Sequence, residues 1–389
     1  MPRAFAASGN PTVPGLPPGS FPPGPSLDGP GRLPPPAFTP FLGHDHSLLR
    51  VDGQIAAMTM VDASRQVVRL ALCHWRVWGA TVTLGVCDLA MLTEARRRVE
   101  AEVAGMDAAC NRFVATSDVS RVNRAAGRWV EVGPIFLDAL GAALDAAAAT
   151  RGAVDPTVGA ALLRLGYDRD FDELAASGAK SSTQAGPDAV VGWQHVEVDR
   201  AGSRVRIPPG AALDLGATAK ALCVDRSVAA ASLLGAGALV DIGGDLAVAG
   251  EGPPDGWLVT VQESSREPLN AAAPVVAVTR GGLASSGTTV RVWHRGDEVV
   301  HHLVHPATGA PVASPWRMVT VAAFTCLEAN VAATAAVVRG LDALADLAGS
   351  GNPARLVDQE GRVTVLGGWP ADDPAGLRQH PSSSERNPP

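Results

Sequence analysis

The residues best able to do chemistry gather in three stretches. In the first, ALDLGATAKALCVDRSVAAASLLGAGALVDIGGDLAVAG, Asp214, Lys220, Asp225 and Asp245 punctuate small and apolar residues. In the second, VHHLVHPATGAPV, His301, His302 and His305 fall within five positions. Histidine has an ordinary pKa near 6.5 and can be a neutral base at pH 7. In the third, CLEANVAATAAVVRG, Asn330 and Thr334 stand four apart and share one helix face, so their oxygens can act together. A fourth segment, GGLASSGTTVRV (281–292), offers small hydroxyl residues whose backbone N–H groups can lie against a phosphate.

Each group needs an element to hold it. Asp214 stands just before a helical pattern and can cap its open backbone N–H groups. Gly216 and Ala217 are small, so a ligand can approach the backbone there. The apolar run Ala221, Leu222, Val224, Val228, Leu233 carries Lys220 and Asp225 on a helix that Gly235 and Gly237 stop. Ala238 to Ile242 reads as a strand, and Gly243-Gly244-Asp245 as a turn with positive φ. By itself this is a capped helix packed on a strand. Thr334 alone also reads as a helix residue bonding its own backbone. The three histidines suggest a metal site, but Pro306 and Gly309 break any helix that would align them.

Taken as a string, DLGATAKALCVDR followed by LVDIGGDLAVAG resembles the central motif of the ApbE family, the FAD:protein FMN transferases. Six further segments resemble family motifs in the family's order. Trp78-Gly79-Ala80-Thr81 stands where a Met-Gly-Thr lines the flavin pocket, although Trp78 also reads as a core aromatic. CNRFVATSDVSRVNRAAG (110–127) matches at Phe113, Ser117, Ser120 and Asn123, and Ser117 doubles as a helix N-cap. GAVDPTVG supplies Asp155-Pro156-Thr157, otherwise a plain turn. The Ser285-Ser286-Gly287 and His301–Pro311 segments follow, and then Asn330 with Thr334.

The resemblance implies an α+β fold: a single large domain of mixed sheets flanked by helices, over residues 71–370. It implies binding of FAD and, with Mg²⁺, transfer of its FMN half to a Thr or Ser of an acceptor protein, releasing AMP. Carried over by position, the metal ligands are the Ala217 carbonyl, Asn330 and Thr334. His302 is the base and Lys220 faces the FAD. Trp78, Phe113, Ser117, Asp155, Pro156, Thr157, Asp214, Asp245, Ser286 and Val304 contact the cofactor. Asn330 and His305 each replace a family Asp, which removes two negative charges. A FAD-binding protein with weak or no transferase activity is therefore one alternative reading, and a Mg²⁺-dependent FAD hydrolase another.

Bulk composition narrows the classes. The 389 residues carry a net charge of −7, against the basic face usual for nucleic-acid binding. Aromatics are 4%, too few for a base-stacking surface. No strand–GxGxxG–helix unit supports a dinucleotide-binding dehydrogenase. Cys73, Cys87, Cys110, Cys223 and Cys326 include no CxxC pair and read as buried small hydrophobes in a reducing compartment. No run of 18 apolar residues suggests a membrane span. Without signal-peptide features or an early lipid-bearing Cys, the expected location is cytoplasmic. Residues 1–70 hold the Pro/Gly-rich segment and read as a largely disordered extension, and 371–389 as a disordered tail.

Between them the pattern predicts a strand over 75–86, helices over 92–106, 118–124 and 134–148, and a polar loop over 175–189. It also predicts a hairpin from 193–198 with 204–207, and strands over 257–262, 275–279 and 318–324. Helices over 327–338 and 343–347 and two last strands within 355–369 complete it.

Overall fold

A computed structural model describes residues 70–177, 190–263 and 273–370, with the backbone of the strands Phe38–Pro40, Ala56–Val61 and the start of Val67–Val77. The Pro-rich segment before residue 38, most of the expected polar loop at 175–189, and the tail at 371–389 lie outside the described residues.

One sheet organises the fold. Its strands are β1 (Ala56–Val61), β2 (Val67–Val77), β3 (Ala80–Val86), β4 (Ala238–Ile242) and β5 (Asp245–Ala249). β6 (Gly281–Gly287), β7 (Trp316–Ala323), β8 (Ala354–Asp358) and β9 (Val363–Leu366) complete it. Their spatial order is their chain order, β1 to β9, and every pairing is antiparallel. The α+β expectation holds, with antiparallel strands throughout. The sheet also begins before residue 71, where the domain was expected to start.

Both faces of this sheet are covered, so its strands alternate between two cores rather than between core and water. Val82, Leu84, Val86, Val240 and Ile242 point to one face, where they meet α1 (Leu92–Cys110) and α6 (Ala219–Ser232). Leu239, Leu246, Val248, Leu283 and Met318 point to the other. There Trp257, Val276 and Val278 of a small antiparallel sheet (Phe38–Pro40, Val275–Val278, Trp257–Thr260) pack on them.

Between β3 and β4 the chain also forms α2 (Asp118–Arg124), α3 (Pro134–Ala149), α4 (Gly159–Arg164) and α5 (Phe171–Ser177). The same insertion holds the expected hairpin, as Glu197–Asp199 with Arg204–Arg206. α7 (Cys326–Arg339) and α8 (Ala343–Ser350) join β7 to β8. Among the described residues no helix is long and apolar enough to cross a membrane.

Three local departures from the sequence reading matter for the site. The single strand expected over 75–86 is two, turned at Trp78-Gly79, both with positive φ (50° and 67°). The segment expected as a phosphate-facing loop begins as strand β6, whose backbone pairs with β7. Gly282 is required there, because a Cβ would collide with the Cys326 backbone at the start of α7. Finally, α6 starts at Ala219, with Thr218 rather than Asp214 at the N-cap position. The first turn of α7 is tied to α6 by Asp225, whose two oxygens accept from Cys326 N (2.8 Å) and Leu327 N (2.9 Å). Burial nevertheless pushes the Asp225 carboxyl up to about 7.

Candidate active site

A cavity of about 940 Å³ opens where the β2–β3 turn, the β4–β5 turn, the end of β6 and the start of β7 come together. It falls within the volume range typical of small-molecule sites. One end is ionic and rich in oxygen donors, and the other is aromatic.

The ionic end is built on α6, β5, β6 and α7. Lys220 Nζ lies 3.2 Å from Asp245 Oδ2 and 3.4 Å from the Gly243 carbonyl. That carbonyl is available because Gly243 and Gly244 take positive φ (60° and 93°) in the turn. Asp245 is 1% exposed, and Oδ2 has no directed hydrogen bond among the described residues, so the ammonium meets it as a charge only. Asp245 opens strand β5 instead of merely closing the turn. Its Oδ1 accepts from Asn330 Nδ2 (3.0 Å), and Thr334 Oγ1 stands 3.5 Å from Asn330 Oδ1. Ser286 Oγ and Thr334 Oγ1 share a hydrogen bond at 2.7 Å. Since the β6 ladder engages much of the backbone, Ser286 contributes its hydroxyl rather than a loop of N–H groups. Ala217 lines the cavity and packs beside Val331 and Ala335 of α7.

His302 lines the cavity, as do Leu303 and Val304. Its Nδ1 is buried and has no hydrogen-bond partner among the described residues. Burial, then the charges of Arg291 and His301, hold its pKa well below the ordinary histidine value, so the ring is neutral. The expectation of a pKa near 6.5 is corrected: burial removes the water that would stabilise the imidazolium. His301 is engaged elsewhere, through Nε2 with the Val312 carbonyl (3.1 Å). His305 does not line the cavity, and its Nδ1 accepts from Ala307 N (3.2 Å) in the following turn. The replacement of Asp at 305 therefore takes no charge from the cavity, and of the two departures only Asn330 does.

The aromatic end is organised by the last turn of α1. Asp107 Oδ1 accepts from Trp78 Nε1 (2.6 Å) and from Asn111 Nδ2 (2.9 Å), while Asn111 Oδ1 accepts from Phe113 N (2.9 Å). These bonds fix a tryptophan at a left-handed φ, where a bulky residue is strained. Phe113 and Tyr167 are tilted with centroids 5.6 Å apart, and Tyr167 meets Trp293 at 5.2 Å. Arg112 lies over both rings, 4.2 Å from Phe113 and 4.6 Å from Tyr167. Its Nε donates to Asp214 Oδ2 at 2.6 Å.

Asp214 thus pairs with Arg112, and its Oδ1 takes Gly216 N (2.8 Å) instead of capping α6. The cap expectation fails because four residues of turn separate Asp214 from the helix. Asp155 reaches the cavity, but Pro156, Thr157 and Ser117 do not. Thr157 is buried and donates to Asp155 Oδ1 (2.6 Å), and the Pro156 carbonyl accepts from Asp214 N (2.8 Å). Ser117 caps α2, accepting from Ser120 N (3.2 Å). These three buttress the loops whose other residues face the cavity.

Sequence reasoning missed Arg112, Tyr167, Asp107, Asn111 and Asp241. Asp241 lines the cavity, accepts from Gly244 N (3.3 Å), and is pushed by burial up to about 6. Only adjacency to Phe113 signalled Arg112, whose ionic partner is 102 residues away.

Comparison with known proteins follows the same outline. Residues 78–356 match the sequence model of the ApbE family. An FAD:protein FMN transferase of Klebsiella pneumoniae (strain 342) is 29% identical over 275 residues, covering 68% of this chain and 75% of that protein. One from Salmonella typhimurium is 28% identical over 274 residues, covering 68% and 76%. In structure, the ApbE protein of Thermotoga maritima aligns with a TM-score of 0.64 at 23% identity, over 76% of this chain and 96% of its own. The apo flavinyl transferase ApbE of Pseudomonas stutzeri gives 0.61 at 22%, over 77% and 96%. At these identities the two structures speak for the fold.

Proposed function

The chain belongs to the ApbE family, and from that premise we propose that it is an FAD:protein FMN transferase. The observation that carries this reading is the two-ended cavity: a cationic, oxygen-lined end suited to phosphates beside an aromatic end suited to a ring system.

In the reaction, an acceptor Ser or Thr oxygen attacks the FMN phosphorus. A phosphoester bond forms, the pyrophosphate P–O bond breaks, and AMP leaves with the bonding electron pair. The hydroxyl proton needs a base, and His302 supplies it: the ring is neutral, and its buried Nδ1 lacks a partner among the described residues. A pyrophosphate beside it would raise its basicity, since a nearby negative charge favours the imidazolium. Lys220 balances charge at the phosphates, held in place by Asp245 and Gly243.

The residues present also fit Mg²⁺. The carboxylate of Asp245 has a buried oxygen with no directed hydrogen bond among the described residues. It adjoins the amide and hydroxyl oxygens of Asn330 and Thr334, and hard cations take such oxygen sets. Asp245, Asn330, Thr334 and the Ala217 carbonyl would hold the ion. When bound, it supplies charge neutralisation at the pyrophosphate and so eases departure of AMP.

The test is incubation with FAD and Mg²⁺, with and without an acceptor domain bearing a Thr or Ser site. Mass spectrometry should find covalent FMN on the acceptor, with one AMP per transfer. Release of free FMN and AMP at the same rate without acceptor would make the protein a hydrolase instead.

A further inference from the structure

Arg112 combines three features that its packing role does not require. Its side chain is only 9% exposed, yet it lines the cavity. Its guanidinium is oriented twice over, by the Nε bond to Asp214 and by the flanking rings of Phe113 and Tyr167. Its Nη2 is buried and finds no acceptor among the described residues. A buried, charged donor without a partner is costly, and a planar guanidinium pre-set in one orientation loses little entropy on binding. The arrangement is a donor waiting for an acceptor on a ligand.

The surroundings restrict that ligand. Phe113, Tyr167, Val158, Leu162 and Val304 give this end an apolar and aromatic lining, unlike the oxygen-rich end at Lys220 and Asn330. The partner is therefore the edge of a planar heteroaromatic ring rather than a phosphate. FAD offers two such rings. The adenine edges set an amino donor beside a ring-nitrogen acceptor, a pattern that suits an amide side chain, whereas arginine pairs with edges that only accept. The isoalloxazine offers such edges, each a carbonyl oxygen beside a ring nitrogen. Resting on the transferase reading above, we infer that Arg112 is a substrate-binding residue that recognises the carbonyl edge of the flavin ring, with Asp214 setting its orientation.

The experiment compares FMN and AMP as separate ligands by calorimetric titration. Each carries one phosphate, so contributions from the ionic end cancel in the comparison. Arg112→Lys keeps a cation for Asp214 but loses the planar fork. It should weaken FMN binding on the order of tenfold to a hundredfold while AMP affinity stays within about twofold. Arg112→Met combined with Asp214→Asn removes the ion pair as a whole, leaves no buried charge unpaired, and should show the same selective loss. Equal weakening of FMN and AMP would reduce Arg112 to a structural support, and selective loss of AMP would place the adenine at this end. Either result overturns the inference while the transferase reading stands. A wild-type protein that binds neither ligand would instead strike at the transferase reading itself.

Discussion

The two ends of the cavity solve opposite problems. At the ionic end, Lys220, Asp245, Asn330, Thr334 and Ser286 largely satisfy one another. A ligand here joins a network in which Asp245 Oδ2 alone lacks a directed hydrogen bond among the described residues. At the aromatic end the polar groups of Asp107, Asn111 and Asp214 are spent on orienting Trp78, Phe113 and Arg112, and Arg112 Nη2 is left without an acceptor among the described residues. Buried charge is tolerable when paired, and a site gains selectivity from the few groups left unpaired. Chemistry thus falls to the first end and recognition to the second.

The sharpest way to break this division is at His302. His302→Asn should lower FMN transfer on the order of 10² to 10⁴-fold while FAD still binds, read as covalent FMN by mass spectrometry against FAD titration. Undiminished transfer would move the base elsewhere.

Next is Asn330→Asp, which would set a carboxylate against Asp245 Oδ1 in place of the Asn330 amide that donates to it now. Without metal the variant should lose about 2 kcal/mol of stability, and Mg²⁺ should restore most of it. Thermal unfolding with and without Mg²⁺, in the absence of FAD, reads both. A variant indifferent to Mg²⁺ would remove position 330 from the ion's ligands.

The third concerns pH. His302 is held neutral in the folded chain but takes a proton near pH 6.5 when unfolded, so the unfolded state binds more protons as pH falls. The stability this group leaves intact above pH 6.5 should be lost below it, at up to about 1.4 kcal/mol per pH unit. His302→Asn should flatten that limb. Parallel stability curves for the two proteins between pH 7 and 5 would show that the ring protonates freely in the fold.

The smallest effect is expected at the recognition end. Trp78→Phe removes the indole bond to Asp107 but keeps an aromatic wall and the Asn111 bond. It should cost about 1 kcal/mol in chemical denaturation. A loss several times larger would mean that the strained turn itself depends on that bond.

What could be read from the sequence was mostly local. α2 and β4 fall at their expected residues, because an N-cap serine and a short apolar run before Gly-Gly are signals carried by neighbours. The hairpin at Trp78-Gly79 was hidden because such turns usually announce themselves with Asn-Gly. β6 was hidden because a strand made of Gly, Ala and Ser around a single Leu has little β-propensity and is held by α7 pressing on Gly282. The ionic end was legible through motif resemblance. Arg112 was not, because its meaning comes from Asp214 and Tyr167, which only tertiary packing brings to it.

The sheet's plain strand order has a consequence for how the site is made. Val86 and Ala238 are paired neighbours in adjacent strands, with roughly 150 residues of chain looped between them. Closing a loop that long costs little more than closing one half its size, about 0.6 kcal/mol for each doubling. The delay is kinetic, since no β3–β4 contact rewards the chain until the ends meet. That loop carries Asp107, Arg112, Asp155, Asp214 and Lys220, whereas Asp245, Ser286, His302, Asn330 and Thr334 lie beyond it. The aromatic end is thus built mostly within that loop and the ionic end mostly beyond it, and the two become one cavity only when β4 docks on β3.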